Sequence, residues 1–315
     1  MGEQLYDTLE SLFAGSLITD IAGFIQDTLD ATESFFDSSQ ITVMLNLLIV
    51  IGGTLVTLFF FMDLMDKSTK EMLTAERFLL SLIRYVLVML VLIYLQDIIV
   101  GMFRVTSALY DLLADSVSLG DGSGRSPFAG VLEFFPDDGN PNPDTWPAYS
   151  DVEVAFEAAG YKSKITSYIS NLGLWVLCIA INLIMWLAKV VAFLIALTTA
   201  ISLIARAIGS PLGVVQMFED GTRSAGFAYF KKFLADGLTF FAIMALLYAS
   251  SLIQSNLIAI QAADVLNGAL SVEAIDELFS FSNGGMIVSI FAVQLSTIGA
   301  MFKANGLAKD IVGTH

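Results

Sequence analysis

Apolar residues recur over the first forty positions at steps of three and four: Leu5, Leu9, Leu12, Phe13, Leu17, Ile21, Phe24 and Ile25. That period is helical rather than extended. Glu3, Asp7, Glu10, Asp20, Asp27, Asp30, Glu33 and Asp37 are interspersed among them. Residues 1–40 are therefore expected to form one or two acidic amphipathic helices, lying on the outer leaflet of a bilayer or on a neighbouring helix. The pattern then turns uniformly apolar. Ile41–Met62 runs twenty-two residues without a charge, and about 20 such residues cross a bilayer as a helix. Gly52 and Gly53 in its middle suit close helix packing. A short mixed loop, Asp63–Arg77, leads to a second apolar run, Leu79–Val100. Arg84 and Asp97 stand near its two ends, each within reach of an interface. Residues 41–100 thus predict a first transmembrane hairpin.

Residues 101–164 are polar and predict an external loop. The centre, Leu119–Tyr149, is rich in Gly, Pro, Asp and Asn and should be irregular. Ser150 followed by Glu153 has the spacing of a capping box opening the next helix. From Ile165 to Ala205 the only charge is Lys189. This is roughly 60 Å of helix at about 1.5 Å per residue, against a hydrocarbon core of roughly 30 Å. Two crossings are the alternative, but no Gly lies between Gly173 and Gly209 and no Pro precedes Pro211 in this stretch. One long third span over 165–205 is the expectation. Gly209-Ser210-Pro211 should end it, since Pro lacks the amide hydrogen that a continuing helix needs. Residues 206–236 then predict a cytoplasmic interfacial or re-entrant segment. Residues 237–315 predict the last two spans, within Gly237–Ala263 and Phe279–Phe302, followed by a short tail.

The fold class expected is all-α: a polytopic integral membrane protein of about five transmembrane helices. Composition agrees, with 56% hydrophobic residues and 15% charged, against about 25% charged in soluble domains. The mean hydropathy is +0.75. Lys and Arg give the orientation. Nine of them (Lys67, Lys70, Arg77, Arg206, Arg223, Lys231, Lys232, Lys303 and Lys309) fall on one side and four (Arg104, Arg125, Lys162 and Lys164) on the other. The nine mark the cytoplasm, so the N-terminus is expected outside and the C-terminus inside. No Lys or Arg occurs in the first forty residues, which leaves insertion to the first span rather than to a cleaved leader.

A net charge of −16 argues against a generic nucleic-acid surface, which is built on basic contacts to phosphate. It leaves open the passage of nucleic acid through a lined pore. The one histidine, His315, is the last residue, so no His-paired triad or multi-His metal site is expected elsewhere. The one cysteine, Cys178, lies in an apolar run without a visible activator. Gly120–Gly124 resembles a Gly-rich loop by composition alone, lacking the Lys-Ser/Thr that would follow. No catalytic, cofactor or metal site is expected, and the protein is not expected to be an enzyme. Lys189 is the sharpest residue, because a Lys in a span is a functional candidate by default. It either lines a pore or pairs, or it merely sits near an interface. Asn182, seven residues earlier, shares its helix face. Arg84 reads as a snorkelling anchor, and Arg206 as a cation closing a helix C-terminus, with Pro211 as the break after it. Lys231 and Lys232, flanked by Phe227, Tyr229, Phe230 and Phe233, read as an interfacial anchor.

The stretch Arg206-Ala-Ile-Gly-Ser-Pro-Leu-Gly-Val-Val-Gln-Met-Phe-Glu-Asp-Gly, with Ala228-Tyr-Phe-Lys-Lys-Phe-Leu-Ala, resembles the TrbL-like polytopic subunits of type IV secretion systems, the family that includes the sixth VirB subunit. Members share an Arg at a helix end, a Ser-Pro or Ala-Pro break, a short Gly-bearing segment and an aromatic-Lys start to the next helix. The motif covers about thirty residues. The expected topology is similar over the whole chain. The resemblance implies a channel or platform in the bacterial cytoplasmic membrane that helps move single-stranded DNA with its relaxase, or protein, across it. It also implies a homo-oligomeric ring, with a pentamer as one form, contacting a secretion ATPase and bitopic secretion subunits. The alternatives are an independent small-molecule or ion transporter, or a membrane scaffold without transport.

Overall fold

The structure, a computed structural model, describes residues 17–69, 74–119, 164–220, 225–266 and 284–314, and every regular element among them is a helix. In chain order these are α1 (Leu17–Phe36), α2 (Ser39–Thr69), α3 (Ala75–Ile93), α4 (Leu95–Leu119) and α5 (Lys164–Val215), then α6 (Met217–Asp220), α7 (Ala225–Leu266), α8 (Gly284–Met301) and α9 (Ala304–Val312). Residues 1–16, the centre of the 101–164 loop and the Ser150–Glu153 cap lie outside the described residues.

Three stretches are long and apolar enough to cross a membrane: Ile41–Thr69, Asn182–Val215 and Ala225–Ser250. A fourth is reached if α3 and Leu95–Ala114 of α4, bent by 63° at their junction, count as one span. α8, at 18 residues, reaches about 27 Å at about 1.5 Å per residue, just short of the roughly 30 Å hydrocarbon core. Along α2 the side chains of Leu47, Val50, Phe61 and Met65 are 58–70% exposed. Bare apolar surface on this scale is unusual for a helix in water and is ordinary against lipid tails. The helices are consistent with a multi-pass membrane protein.

Four boundaries differ from the sequence expectation. First, α5 does not stop at Gly209-Ser210-Pro211 but carries Pro211 inside it and ends at Val215. Pro211 has no amide to offer Ala207, one turn back. The Ser210 hydroxyl donates to that Ala207 carbonyl instead, at 2.6 Å, so the orphaned acceptor is satisfied and the helix persists. Second, Asp236 does not precede the fourth span. α7 begins at Ala225 and runs through it, because a cation from α5 neutralises the carboxylate. Third, the second apolar run is bent at Tyr94, with neither Pro nor Gly there to signal it. The Tyr94 amide bonds back to Leu90, and Ile98 bonds to the Tyr94 carbonyl at 3.0 Å, so the ladder resumes within a turn. Tertiary contacts hold this junction: Gln96 donates to Thr42 of α2 at 3.4 Å, and Leu92 and Leu95 are buried on either side. Fourth, the helix continues past Gly101 to Leu119.

The described residues fall into two compact units. Among the described residues, the first draws on 17–24, 113–119, 164–194, 243–266 and 284–303. In it, Asp20 of α1 pairs with Lys189 of α5, and Phe24 stacks on Phe193 with ring centroids 3.9 Å apart. Each contact lies one helical turn from the other on both helices. Further along, Ser250 of α7 and Thr297 of α8 share a hydrogen bond beside an open groove of about 410 Å³ lined by small residues such as Ala249, Ser289, Ala292 and Ser296.

The second unit draws on Ile25–Leu112, Ile195–Ala242 and Ala304–His315. Here α1 meets α4 through Glu33–Arg104 at 3.1 Å and the edge-to-face pair Phe36–Phe103. α2 meets α3 through Thr57–Tyr85 and Phe60–Tyr85. Gly52 of α2 has the role its position suggests. A Cβ there would lie 3.3 Å from the Pro211 carbonyl oxygen and 3.5 Å from Leu92, so its absence lets three helices approach. α9 ends in a Schellman-type cap, with Gly313 at φ 69° and Thr314 bonding back to the Lys309 carbonyl at 3.0 Å.

Candidate functional site

Four positions on α5 (Ser202, Arg206, Gly209 and Gly213) follow one another at steps of four, three and four, and so share a face. Four on α7 (Gly226, Tyr229, Phe233 and Asp236) do the same at three, four and three. These faces meet antiparallel in the second unit. Arg206 Nε lies 2.6 Å from Asp236 Oδ2. Ser202 Oγ donates to the same carboxylate oxygen at 2.6 Å, and Arg206 Nε also reaches Ser202 Oγ at 3.4 Å. The Asp236 side chain is 5% exposed and that of Arg206 28%. A lone carboxylate in such a place would cost several kcal/mol. Two donors on one oxygen are what make its burial tolerable.

One turn further on, the Tyr229 hydroxyl donates to the Arg206 carbonyl at 2.7 Å. Its ring lies flat against a glycine surface. A Cβ on Gly209 would come within 2.9 Å of the Tyr229 hydroxyl, and one on Gly213 within 2.9 Å of the ring. Gly209 and Gly213 thus form a small-xxx-small seat of the kind that lets helices approach. Gly226 closes the far end, where a Cβ would lie 2.5 Å from the Gly213 carbonyl oxygen and 3.0 Å from the Met217 amide nitrogen. Thr106 of α4 presses on Gly237 beside the carboxylate. The result is a polar clamp closing the α5–α7 hairpin, with charge at one end and glycine contacts at the other.

The sequence candidates divide accordingly. Arg206 stands well inside α5 rather than at its end, and Pro211 is buried within the helix; both belong to the clamp or border it. Lys189 sits in the first unit with Asp20 as its partner, its side chain 32% exposed. Asn182 is half-buried on the same α5 face. Arg84 is exposed in mid-α3 and acts electrostatically on Asp63. Asp63 is itself tied to Lys67 at 2.6 Å and to buried Ser81 at 2.7 Å. Lys231 and Lys232 lie in the second turn of α7, the first half-buried and the second exposed. Three residues of the sites, Asp20, Asp236 and Ser202, did not stand out in the sequence. The Gly209–Gly213 spacing, one turn from Arg206, was the available signal for the clamp.

Ser202 donates to an Asp236 carboxylate that is itself paired with Arg206, so the clamp's charges and donors are spent on one another. Among the described residues no group of three or more His, Cys, Asp or Glu is placed to hold a metal ion. No protein-family model, no curated protein and no solved structure matches the chain.

Proposed function

We propose that the chain is a polytopic subunit of a type IV secretion or conjugation apparatus, acting as a channel or platform in a bacterial cytoplasmic membrane. The observation that carries the reading is where the TrbL-like residues lie. Arg206 and Tyr229 form the α5–α7 clamp, and beside it Ser210 satisfies the carbonyl that Pro211 leaves without a donor. A motif whose parts lock helices together fits a subunit that builds a passage and leaves energy to a partner ATPase. On this reading the helices make five spans, counting α8 and the bent α3–α4 pair, with the N-terminus outside and the C-terminus cytoplasmic. Copies assemble into a ring, a pentamer being one form, alongside bitopic subunits, and the cargo is single-stranded DNA with its relaxase, or protein. Deletion of the gene should abolish mating-pair DNA transfer and a plasmid copy should restore it. Transfer at parental levels in the deletion strain would overturn the proposal. Tags on the two termini should report from opposite sides of the membrane.

One observation favours the rival, an ion-coupled transporter. Such proteins place ionisable pairs in their spans; Arg206–Asp236 is of that kind, and in Lys189–Asp20 the lysine lies in a span and the aspartate in α1. Replacing Lys189 by Leu separates the two readings. The pair is well exposed, and exposed pairs contribute about 0–1 kcal/mol, so thermal unfolding in detergent should move little. Under the secretion reading DNA transfer falls only if Lys189 lines the passage. Under the rival, ion-driven uptake into proteoliposomes is lost.

A further inference from the structure

The second unit holds an apolar groove of about 330 Å³ that the clamp leaves unused. Val91 and Ile98 line it from the two sides of the Tyr94 bend, Met102 from one turn further along α4, Met217 from α6, and Phe230 and Leu234 from α7. The 63° bend takes α3 and α4 off a common axis, and the groove lies against both sides of it. The volume falls within the roughly 300–1,000 Å³ of small-ligand sites, and Met102 and Met217 give it adaptable walls.

Lys231 sets the chemistry of the rim. Its methylene stem lines the groove while its ammonium lies 5.7 Å from the centroid of the Phe227 ring, a cation–π distance. Lys232 beside it is exposed. Lys232 is not among the lining residues, so the apolar slot ends at one cation, Lys231. A peptide laid in it would find no partner for its amides, and a free anion would find only the rim. A lipid with an apolar tail and a negative headgroup satisfies both ends. We propose that this groove binds one acyl chain of an anionic phospholipid, with the phosphate held by Lys231.

The proposal rests on the reading of the chain as a membrane protein, and the test keeps the two apart. The full-length protein is reconstituted in nanodiscs containing phosphatidylglycerol or phosphatidylcholine with brominated acyl chains, at equal mole fraction. Quenching of the native tryptophans, among them Trp186 at 60% exposure, reads immersion in lipid whatever the headgroup. A Phe227→Trp variant adds a reporter at the groove and preserves the ring beneath Lys231. Added quenching at that reporter should show about a fivefold preference for phosphatidylglycerol, the enrichment expected of one lysine near an anionic surface. The preference should vanish in Lys231→Gln and weaken in high salt. Equal quenching by the two lipids would overturn the proposal, since only bulk lipid would then touch the groove. So would no added quenching while the native tryptophans respond, which would mean that protein covers the site.

Discussion

Replacing Asp236 by Ala in the detergent-solubilised protein should cost about 3 kcal/mol, the low end for breaking a buried ion pair. The low end applies because the Arg206 side chain keeps 28% exposure and can draw water to itself. What is lost is less the attraction itself than the partner that made a guanidinium tolerable between two helices. The double variant Arg206→Met/Asp236→Leu should therefore recover most of the stability, since a matched apolar replacement of a buried pair is neutral or stabilising. Ser202→Ala should cost less, about 1 kcal/mol for one hydrogen bond. Thermal unfolding of the four proteins side by side is the measurement. A double variant as unstable as Asp236→Ala would show that the residues pack rather than pair.

Gly226→Ala should lose at least 3 kcal/mol, at or beyond the upper end of the usual overpacking cost of about 1–3 kcal/mol. The new methyl would meet two backbone atoms, the Gly213 carbonyl oxygen at 2.5 Å and the Met217 amide nitrogen at 3.0 Å. Neither can move without shifting a helix. Gly101 in α4 and Gly299 in α8 supply the contrast, because a Cβ at either meets nothing within 4 Å. Ala at those two positions should be neutral or stabilising by up to about 1 kcal/mol through helix propensity alone. The sign difference between Gly226→Ala and Gly101→Ala is the informative quantity. If both substitutions moved the unfolding transition in the same direction, the close approach at Gly226 would be refuted.

Apolar run length was the legible part of this fold. Ile41–Met62 announced α2, the stretch from Ile165 announced α5, and Phe279–Phe302 contains α8, because each rests on local composition. Gly52 was legible for the same reason, as a small residue in the middle of a span. Contacts between distant positions were not. Asp20 lies among the eight acidic residues of a segment that reads as amphipathic surface, and nothing in that pattern selects it as the partner of Lys189. Asp236 looked like the end of a polar loop, since an isolated carboxylate is a reason to stop a span until a cation is known to face it. Pro211 misled in the opposite sense. The rule that proline ends a helix depends on an unsatisfied carbonyl, and the neighbouring serine satisfies it. The bend at Tyr94 carries no Pro or Gly to mark it, and the hydrogen bond beside it reaches across to α2.

The distance along the chain between Asp20 and Lys189, 169 residues, is also an interval of time. At about 5–20 residues per second of synthesis, Lys189 is made roughly 8–34 s after Asp20 has left the peptidyl-transferase centre. Over that interval Asp20 lacks its Lys189 partner and Phe24 the Phe193 ring on which it stacks in the finished protein. The far end of the first helix can dock on α4 as soon as Phe103 and Arg104 are made, but its start waits at the lipid–water boundary until the later helix arrives. Any transcript truncated before codon 189 leaves it waiting permanently, as a ready target for quality-control proteolysis.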